Sequence, residues 1–568
     1  MLPARFKPRF VALQLLILLT GVVDLLGLAI FIPVLSAVSD HSLIEQSEYL
    51  SRLKALLNIS RNEDFLFVIF LTALGFFILR SSFIILSHWI QSKFVFSLSE
   101  YVGVHTFKYY LNQNYETFKA IDSSRVVREL TISPQHYAKY LVMPLLLLSS
   151  EFTIMGFAVA GIAIYNLNVF ILLACTVFPI AFLFNFLLKR RIRNYGIVQN
   201  ELTPLLLENS MRGIHGFVDV KLRSRENSLL SDFMSTIRRL NRISIKMNVI
   251  SLMPSKIFEL TTVLGLFLIF TFSVYIAEPP GEVLPLIAVY AAAAYRMIPS
   301  LSRILPSLLS LDQFSYLFGV YSPALESEIG DLPHSHPRMD FQENIRLESV
   351  TYAFMDQTTP LFNNLSVEVE KGEILGLIGR SGSGKTTLVN ILSGFLIPSK
   401  GRILIDGKVL EHEDLGSWMA NLSYVQQAPY LERGSLASNI AFLDDEVKGD
   451  RLADAIKGAS LTDLVADVDP SDFKIEEHGK NLSGGQKQRI IIARALYHNA
   501  DVLILDEATA ALDNETEEQI NATVKNLRGR GITIIIIAHR ISTLKYTDRI
   551  LRLANGVIVE ETTYSEVQ

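Results

Sequence analysis

Long apolar stretches, separated by charged segments, dominate the chain up to about residue 315. Each stretch is long enough for a helix to cross the core of a bilayer, which takes about 20 residues. Because six such stretches within 315 residues are not typical of a soluble core, the pattern predicts six transmembrane helices. The predicted spans are 10–37, 65–91, 136–165, 167–188, 247–277 and 283–311.

The first stretch shares its basic start with signal peptides. Its apolar run is far longer than the roughly 7–15 residues of a signal core, and it contains Asp24. We therefore interpret it as a transmembrane helix.

The distribution of basic residues predicts the orientation of these helices, because cytoplasmic connections are enriched in Lys and Arg. Arg5, Lys7 and Arg9 precede the first helix, and residues 189–246 hold 12 basic and 5 acidic residues. Residues 278–282 contain no Lys or Arg and are predicted to lie outside. The chain is thus predicted to be a multi-pass protein of the inner (cytoplasmic) membrane, with a cytoplasmic N-terminus.

The connections between the helices differ in character. Residues 92–135 and 189–246 have helix-forming compositions, which predict membrane helices that continue into the cytoplasm. Residues 38–64 place apolar residues at near-helical spacing among charges. This pattern predicts a short amphipathic helix that lies either on the outer membrane surface or against the protein itself.

Beyond residue 343 the pattern changes to short β-branched runs that alternate with helical stretches, which is typical of an α/β domain. We therefore expect an α-helical membrane domain with six transmembrane helices, fused to an α/β P-loop domain. The predicted boundaries are 1–320 for the membrane domain, 321–343 for a linker and 344–568 for the α/β domain. Six crossings place this second domain in the cytoplasm.

The composition and the charge distribution also indicate that the two halves of the chain differ in character. The chain has 568 residues, of which 50% are hydrophobic and 19% charged, and its mean hydropathy is +0.32. Residues 1–330 carry 28 basic and 22 acidic side chains, whereas the remainder carries 24 and 35. No strongly basic face is available for nucleic acid, so no nucleic-acid partner is expected. The single cysteine, Cys175, excludes a disulfide framework or a cysteine-rich metal site.

Residues 379–386 read GRSGSGKT and fit the phosphate-binding loop fully. The loop follows an apolar run that is typical of a buried strand and precedes a predicted helix, which is the context that the motif requires. Small residues allow backbone N–H groups to wrap the phosphates. Lys385 is predicted to reach the β- and γ-phosphates, and Thr386 to bind Mg²⁺.

Residues 502–507 read VLILDE, a second buried strand that ends in two carboxylates. Asp506 is predicted to hold Mg²⁺, and Glu507 to orient and polarise the attacking water. Farther back, residues 482–486 read LSGGQ. The adjacent glycines expose backbone N–H groups at a helix start and so form a second anion site.

Together these motifs resemble the nucleotide-binding domain of ATP-binding-cassette (ABC) proteins, and six helices followed by one cassette resemble an ABC exporter half-transporter. The resemblance implies ATP hydrolysis coupled to transport. It also implies that Phe354, with Tyr352 as the alternative, stacks on adenine, that Gln427 links Mg²⁺ to the membrane domain, and that His539 senses the γ-phosphate. Asp513 matches a loop that crosses the dimer, with Ala510 in place of the usual Ser.

Such chains dimerise, and a homodimer is expected in which one phosphate loop faces Ser483 of the partner subunit. Glu507, His539 and Gln427 are the expected catalytic residues, and Thr386, Gln427 and Asp506 the expected Mg²⁺ ligands. The expected ATP-binding residues are Phe354, Gly379, Ser381, Gly382, Gly384, Lys385, Thr386, Thr387, Ser483, Gly484, Gly485, Gln486 and Asp513.

Charged residues inside predicted membrane helices are costly and usually face a cavity or a partner. Arg296 and Arg303 lie seven residues apart, on one helix face. Four cations and one anion predict a cavity that attracts an anionic head group. Structural pairing, such as Asp24 with Arg80, and snorkelling to the interface form the alternative. The charges are Asp24, Arg80, Lys256, Arg296 and Arg303.

These membrane features resemble the bacterial lipid-linked oligosaccharide flippases, in which arginines bind a polyprenyl pyrophosphate and a short external helix follows the first membrane helix. The matching stretches are 24–39, 47–59 and 295–303, and Lys256 stands where an arginine is expected. The resemblance implies a lipid or lipid-linked substrate. Export of drugs, peptides or other lipids is the alternative. A soluble cassette ATPase that acts on nucleic acid and a binding-protein-dependent importer fit the fused membrane helices less well.

In such exporters, closure of the cassettes reaches the membrane domain through the ends of the cytoplasmic loops. Tyr115–Phe118 and Val218–Arg225 are the corresponding segments of this chain.

Overall fold

The structure is a computed structural model. It describes residues 3–39, 52, 54, 59, 61–165, 167–275, 283–327, 330, 336–355, 357, 359–427, 430–507 and 514–567. The chain forms two compact units, of which the first contains Met1–Gln113 and Ile121–Gly330 and the second contains Asn114–Ala120 and Asp331–Gln568. Most of the predicted amphipathic segment 38–64 lies outside the described residues and stays a prediction.

The first unit is helical, as its apolar pattern predicts. A π-helical turn, Ala138–Val142, joins α5 to α6. The helices of the first half of the chain, of which α3 belongs to the second unit, are α1 Lys7–Ser39, α2 Asn62–Leu111, α3 Tyr115–Ala120, α4 Ser123–Thr131, α5 Ser133–Tyr137, α6 Met143–Tyr165, α7 Leu167–His215, α8 Phe217–Leu222, α9 Glu226–Tyr275, α10 Val283–Phe314 and α11 Tyr316–Glu326.

Helix covers every described residue of the six predicted spans. Among the described residues, three stretches are long and apolar enough to cross a membrane, and they are Asp64–Leu111, Ser133–Phe157 and Glu226–Leu268. The predicted helical continuations are confirmed, because α2 runs to Leu111, α7 runs to His215 and α9 begins at Glu226. Helix α11 extends to Glu326, so the first residues of the predicted linker are helical.

Apolar contacts between distant parts of the chain hold the first unit together. One cluster packs α1, α2, the π-helical turn and α11 through Ile17, Leu98, Leu141 and Tyr321, all of them fully enclosed. A second cluster packs α6, α9 and α10 around Phe258 and Leu305. Burial of side chains of this size stabilises a fold by about 1.5–3 kcal/mol each.

Glu129 on α4 is the centre of a buried polar contact in the first unit and is only 2% exposed. Its carboxylate accepts a hydrogen bond from the Tyr110 hydroxyl and another from Arg125 Nε at 2.8 Å. The Glu129 carbonyl accepts a bond from the Tyr321 hydroxyl at 2.9 Å. Burial raises the pKa of Tyr110, and the hydrogen bond to Glu129 raises it further, so this hydroxyl stays protonated and donates. The contact ties α4 to α2 and α11.

Replacement of Glu129 by Ala is expected to destabilise the protein by about 3 kcal/mol, because it leaves the Tyr110 hydroxyl buried without an acceptor. Thermal unfolding of the purified protein measures the effect. Glu208→Ala is the matched control, since Glu208 pairs with Arg212 in an exposed i,i+4 contact worth at most about 0.5 kcal/mol. Equal melting temperatures for the two variants would contradict the assigned role of Glu129.

The second unit is α/β, as predicted. Its central sheet has the strand order β12-β11-β3-β10-β9-β6, in which β12 alone runs antiparallel to its neighbour. An antiparallel sheet has the order β2-β1-β4-β5, and β7 pairs with β8. The strands are β1 Asn344–Tyr352, β2 Phe362–Glu370, β3 Ile374–Gly379, β4 Lys400–Ile405, β5 Lys408–Val409, β6 Leu422–Val425, β7 Gly434–Ser435, β8 Lys474–Ile475, β9 Val502–Asp506, β10 Thr533–Ile537, β11 Arg549–Ala554 and β12 Val557–Thr562.

Strand β10 is buried throughout, and β3 is buried up to its last residue, because parallel strands in the middle of such a sheet are covered on both faces. The helices that accompany these sheets are α12 Lys385–Leu392, α13 Leu415–Met419, α14 Leu436–Ile440, α15 Gly449–Gly458, α16 Gly484–Tyr497, α17 Asn514–Arg528 and α18 Tyr564–Val567.

Helix α3 is part of the second unit, although its neighbours in sequence belong to the first. The ring of Tyr115 lies 5.4 Å from that of Phe395, centroid to centroid. Glu116 accepts hydrogen bonds from the Met355 backbone N–H at 2.8 Å and from the Tyr352 hydroxyl at 3.3 Å. Burial, and then Glu116, raise the pKa of Tyr352 to about 12, so its hydroxyl remains a donor.

Candidate functional site

Four neighbouring parallel strands of the central sheet, β3, β10, β9 and β6, end at the same edge. In open α/β sheets, ligands bind at the carboxyl ends of the strands. The phosphate loop follows β3, His539 follows β10, Asp506 and Glu507 end β9, and Gln427 follows β6. The strand order therefore brings to one edge residues that are up to 160 positions apart in the sequence.

The phosphate loop has the backbone that its glycines predict. Gly379, Gly382 and Gly384 have φ values of 155°, 81° and 104°, a region that residues with a Cβ adopt only under strain. A Cβ on Gly379 would lie 2.3 Å from the Leu553 carbonyl oxygen, and one on Gly384 would lie 2.9 Å from the Phe362 ring. The loop leads directly into α12, and Ser381 and Thr386 are exposed while Thr387 is half-buried. The backbone N–H groups at this helix start are placed to bind an anion.

Lys385 folds back over the loop. Its Nζ donates to the carbonyl oxygens of Gly379 at 2.9 Å and Arg380 at 3.2 Å. The side chain is buried, and this desolvation lowers the pKa of Lys385 below its usual value, although the carboxylates of Glu507 and Asp506 offset part of the shift. A phosphate would offer the ammonium group a charged acceptor in place of two neutral carbonyls, and charge-assisted hydrogen bonds are the stronger ones.

Asp506 lies at the end of β9, where Tyr424 of the neighbouring strand β6 donates a hydrogen bond to its Oδ2 at 2.9 Å. Burial raises the pKa of Asp506 above its usual value, although hydrogen bonds from Tyr424 and Thr386 offset part of the shift. Thr386 and Asp506, the two predicted metal ligands, therefore lie within hydrogen-bond reach of each other. Tyr424 was not predicted from the sequence, in which its only signal is its place two residues before Gln426-Gln427 at a strand end.

Glu507 and His539 contact each other directly. His539 Nε2 lies 2.6 Å from Glu507 Oε1. Glu507 has a φ of 50°, a strained conformation for a residue with a side chain, and its backbone N–H donates to the Ile537 carbonyl at 3.1 Å. The last residues of β9 and β10 pair in register, and this pairing brings together two side chains that lie 32 positions apart.

Ser483 caps α16. Its Oγ accepts a hydrogen bond from the Gln486 backbone N–H at 3.2 Å, and the Gln486 Oε1 accepts one from the Ser483 backbone N–H at 2.8 Å. Ser483 and Gly484 are exposed, whereas Gly485 is buried. This reciprocal cap fixes the helix start and leaves the Ser483 edge of the motif open to solvent.

Of the two aromatic candidates for adenine, Tyr352 is buried in β1 and bonded to Glu116, while Phe354 is half-buried. The two rings meet edge to face, with their centroids 5.3 Å apart. Phe354 therefore keeps an accessible face. Gln427 is exposed after β6, and Asp513 lies outside the described residues together with its neighbours 508–512.

The predicted cations of the membrane helices are placed differently from one another. Arg303 Nε donates to Glu151 Oε1 at 2.5 Å, and Lys256 Nζ pairs with Glu259 Oε2 at 2.9 Å. The Arg80 guanidinium lies 5.2 Å from the centre of the Phe77 ring. Arg296 is helical in α10, and its side chain, like that of Asp24, lies outside the described residues.

The sequence-based count of four cations and one anion left out two carboxylates, Glu151 and Glu259. Each lies in a predicted span, and each is bonded to one of the predicted cavity cations. A lone acidic residue inside the apolar stretch 136–165 was the signal that could have identified Glu151.

Known proteins resemble this chain in sequence and in fold. Residues 362–510 match the ABC transporter family. An ATP-dependent lipid A-core flippase of Ralstonia nicotianae is 32% identical over 388 residues, which span 67% of this chain and 65% of that protein. A flippase of the same name from Cupriavidus metallidurans is 31% identical over 387 residues, or 67% and 64% of the two chains. The matched stretch thus spans less than two thirds of each relative's length.

Two further comparisons cover different extents. The leukotoxin translocation ATP-binding protein LktB of a Pasteurella haemolytica-like species is 39% identical over 229 residues, or 40% of this chain and 32% of that protein. The structure of a bacterial Atm1-family ABC exporter with ATP bound covers 99% of this chain and 97% of its own, with a TM-score of 0.75 and 22% identity. The comparisons thus identify an ABC transporter domain in the matched segment 362–510, and the chain has the fold of an ABC exporter.

Proposed function

We propose that this protein is an ATP-driven exporter that flips an anionic amphiphile from one leaflet of the cytoplasmic membrane to the other. The observation that carries the proposal is the strand-edge site of the second unit, in which Lys385, Asp506, Glu507 and His539 surround a phosphate loop. The same chain contains long helices with outward-facing apolar side chains. Leu79, Ile85 and Phe182 are each at least 70% exposed, which suits a lipid environment rather than water.

The proposed chemistry is hydrolysis of ATP. The backbone of the phosphate loop and Lys385 would hold the phosphates, Phe354 would stack on the base, and the Glu507 carboxylate would orient the attacking water and accept its proton. His539 Nε2 lies 2.6 Å from Glu507 Oε1, so His539 would help to orient this carboxylate. Thr386, Asp506 and Gln427 offer oxygen ligands, which suit Mg²⁺, and the ion would neutralise charge on the phosphates.

We propose a homodimer in which Ser483 and its glycines close the site of the partner subunit. The exposed Ser483 edge supports this arrangement. The proposed domains are 1–320 for the membrane domain, 321–343 for the linker and 344–568 for the cassette. The placement of α3 against β1 and Phe395 supports a role for Tyr115–Phe118 in coupling the cassette to the helices.

A lipid-linked oligosaccharide is the proposed substrate, on the strength of the charged residues within the spans. Export of a peptide is the second candidate, because one relative is named for leukotoxin translocation.

Stimulation of ATP hydrolysis in liposomes separates the two candidate substrates. We expect a polyprenyl-pyrophosphate glycan to raise the turnover of the reconstituted protein severalfold, whereas unfolded polypeptides and hydrophobic drugs leave it unchanged. The Lys385→Ala variant, reconstituted in the same way, gives the background. Stimulation by polypeptide alone would overturn the lipid assignment.

A further inference from the structure

A cavity that contains several polar side chains lies inside the first unit, between α1, α2, α6 and α10. Its volume is about 240 Å³, and Glu151 and Arg303 lie in its wall together with Thr20, His88 and Gln91. The spans predicted from the sequence would place these residues toward the cytoplasmic half of the membrane. The cavity is therefore a candidate for the place where a head group enters.

Glu151 is the unusual member of this wall. The residue is only 4% exposed, and its Oε1 accepts the 2.5 Å bond from Arg303 Nε. Its Oε2 is enclosed and accepts no hydrogen bond from any described residue. A buried carboxylate oxygen without a donor is costly, and such oxygens are bonded in most folded proteins.

None of the other polar side chains of the wall donates to Glu151 Oε2. Ser150 Oγ donates to the Leu147 carbonyl at 2.8 Å instead. Thr20 Oγ1 lies 2.8 Å from the Leu16 carbonyl and 2.9 Å from Ser87 Oγ. Gln91 Nε2 donates to the same Ser87 Oγ at 3.2 Å. The donor for Glu151 Oε2 would therefore come from a molecule inside the cavity.

Arg303 offers the complementary chemistry. Its side chain is 47% exposed, and within the part of the chain that the structure describes its two terminal nitrogens donate to nothing. A guanidinium of this kind binds phosphate oxygens through two parallel bonds. The Glu151 carboxylate, a hydrogen-bond acceptor, and the Arg303 guanidinium, a phosphate-binding group, thus lie side by side.

We propose that Glu151 selects the head group of the substrate: it accepts a hydrogen bond from a hydroxyl or amino group that neighbours the phosphate held by Arg303. This inference rests on the proposed function and deepens it. It predicts that a phosphate alone binds poorly, because the donor for Glu151 would be missing, and that a hydroxylated head group without phosphate binds poorly as well. Phosphate and donor must be present on one molecule.

Three lipids in phosphatidylcholine nanodiscs test the inference. Phosphatidylglycerol carries a phosphate and hydroxyls, phosphatidylmethanol carries a phosphate alone, and a glucosyl diacylglycerol carries hydroxyls alone. We expect phosphatidylglycerol to give half-maximal stimulation of ATP hydrolysis at a mole fraction about tenfold lower than phosphatidylmethanol, since hydrogen bonds to charged groups are worth about that factor. The glucosyl lipid is expected to stimulate least.

Glu151→Gln is expected to reduce this tenfold preference to about threefold or less, because a bond to a neutral acceptor is roughly half as strong. Phosphatidylmethanol should act at least as well as on the wild type, since Arg303 no longer shares its charge with a carboxylate. Glu208→Gln makes the same chemical change in an exposed pair on α7 and should keep the full preference. Should Glu151→Gln fold poorly, Glu151→Asp keeps the charge, shortens the reach and is expected to lose the preference.

The possible outcomes distinguish a failure of the proposed role of Glu151 from a failure of the proposed exporter function. Equal stimulation of the wild type by phosphatidylglycerol and phosphatidylmethanol would overturn the role of Glu151 and leave the exporter intact. A folded Glu151→Gln variant with the full preference would do the same. Lack of stimulation by all three lipids would overturn the role of Glu151, whereas the proposed flippase function fails only if the polyprenyl-pyrophosphate glycan does not stimulate hydrolysis either.

Discussion

Glu507→Gln is expected to lower ATP turnover by about 10²–10⁴-fold while ATP binding is retained. The amide keeps the shape of the side chain but cannot accept the proton of the attacking water. It can still bond to His539, which lies 2.6 Å from the carboxylate oxygen, so the strand edge keeps its geometry. Phosphate release measures turnover, and a fluorescent ATP analogue measures binding.

The matched control for this variant is Glu477→Gln, which changes an exposed carboxylate of the same unit. That change should leave turnover within about twofold of the wild type, since exposed ion pairs contribute little. If Glu507→Gln retained more than about a tenth of wild-type turnover, Glu507 would not be the base, because a base contributes more than that factor.

Ser483→Arg is expected to stop hydrolysis almost completely, with a loss of at least about tenfold. Ser483 is exposed at the start of α16, where a long cationic side chain would fill the space that the proposed partner subunit must enter. The change also removes the helix cap, which costs about 1 kcal/mol of stability.

Ser483→Ala separates these two effects, because it removes the cap without adding bulk. We expect Ser483→Ala to melt at the same temperature as Ser483→Arg and to keep most of its turnover. A variant mixture offers a second check: a dimer with Ser483→Arg in one chain and Lys385→Ala in the other should retain one competent site. Normal turnover of the Ser483→Arg homodimer would contradict a site shared between subunits.

The local motifs were readable from the sequence because each is a short run of residues whose chemistry depends on its own backbone. The phosphate loop needs positive φ values at its glycines, and only a narrow pattern supplies them. The apolar run before Asp506 and Glu507 is by itself typical of a buried strand. The six helical spans were predictable for the same reason, since length and hydropathy are local properties.

The contacts between distant residues were not predictable. Tyr424 bonds to Asp506 only because β6 and β9 are neighbours, and no local pattern encodes that strand order. Arg303 and Glu151 are separated by 152 positions and meet through helix packing. The bonds that Glu116 makes with β1 and with Met355 span more than 230 positions. Contacts of this kind can be recognised only once the three-dimensional structure is known.

Some of the sequence-based expectations remain predictions. Asp513, the side chain of Arg296 and most of residues 38–64 lie outside the described residues.

The central claim is that hydrolysis at the strand-edge site drives movement of a lipid across the membrane. The most direct test reconstitutes the protein in liposomes that contain a fluorescent polyprenyl-pyrophosphate glycan and follows its accessibility to a membrane-impermeant quencher. We predict that Mg²⁺ and ATP change the accessible fraction within minutes for the wild type, and that the Glu507→Gln variant leaves it unchanged. Movement of the lipid by the Glu507→Gln variant at the wild-type rate, or no movement by an actively hydrolysing wild type, would contradict the claim.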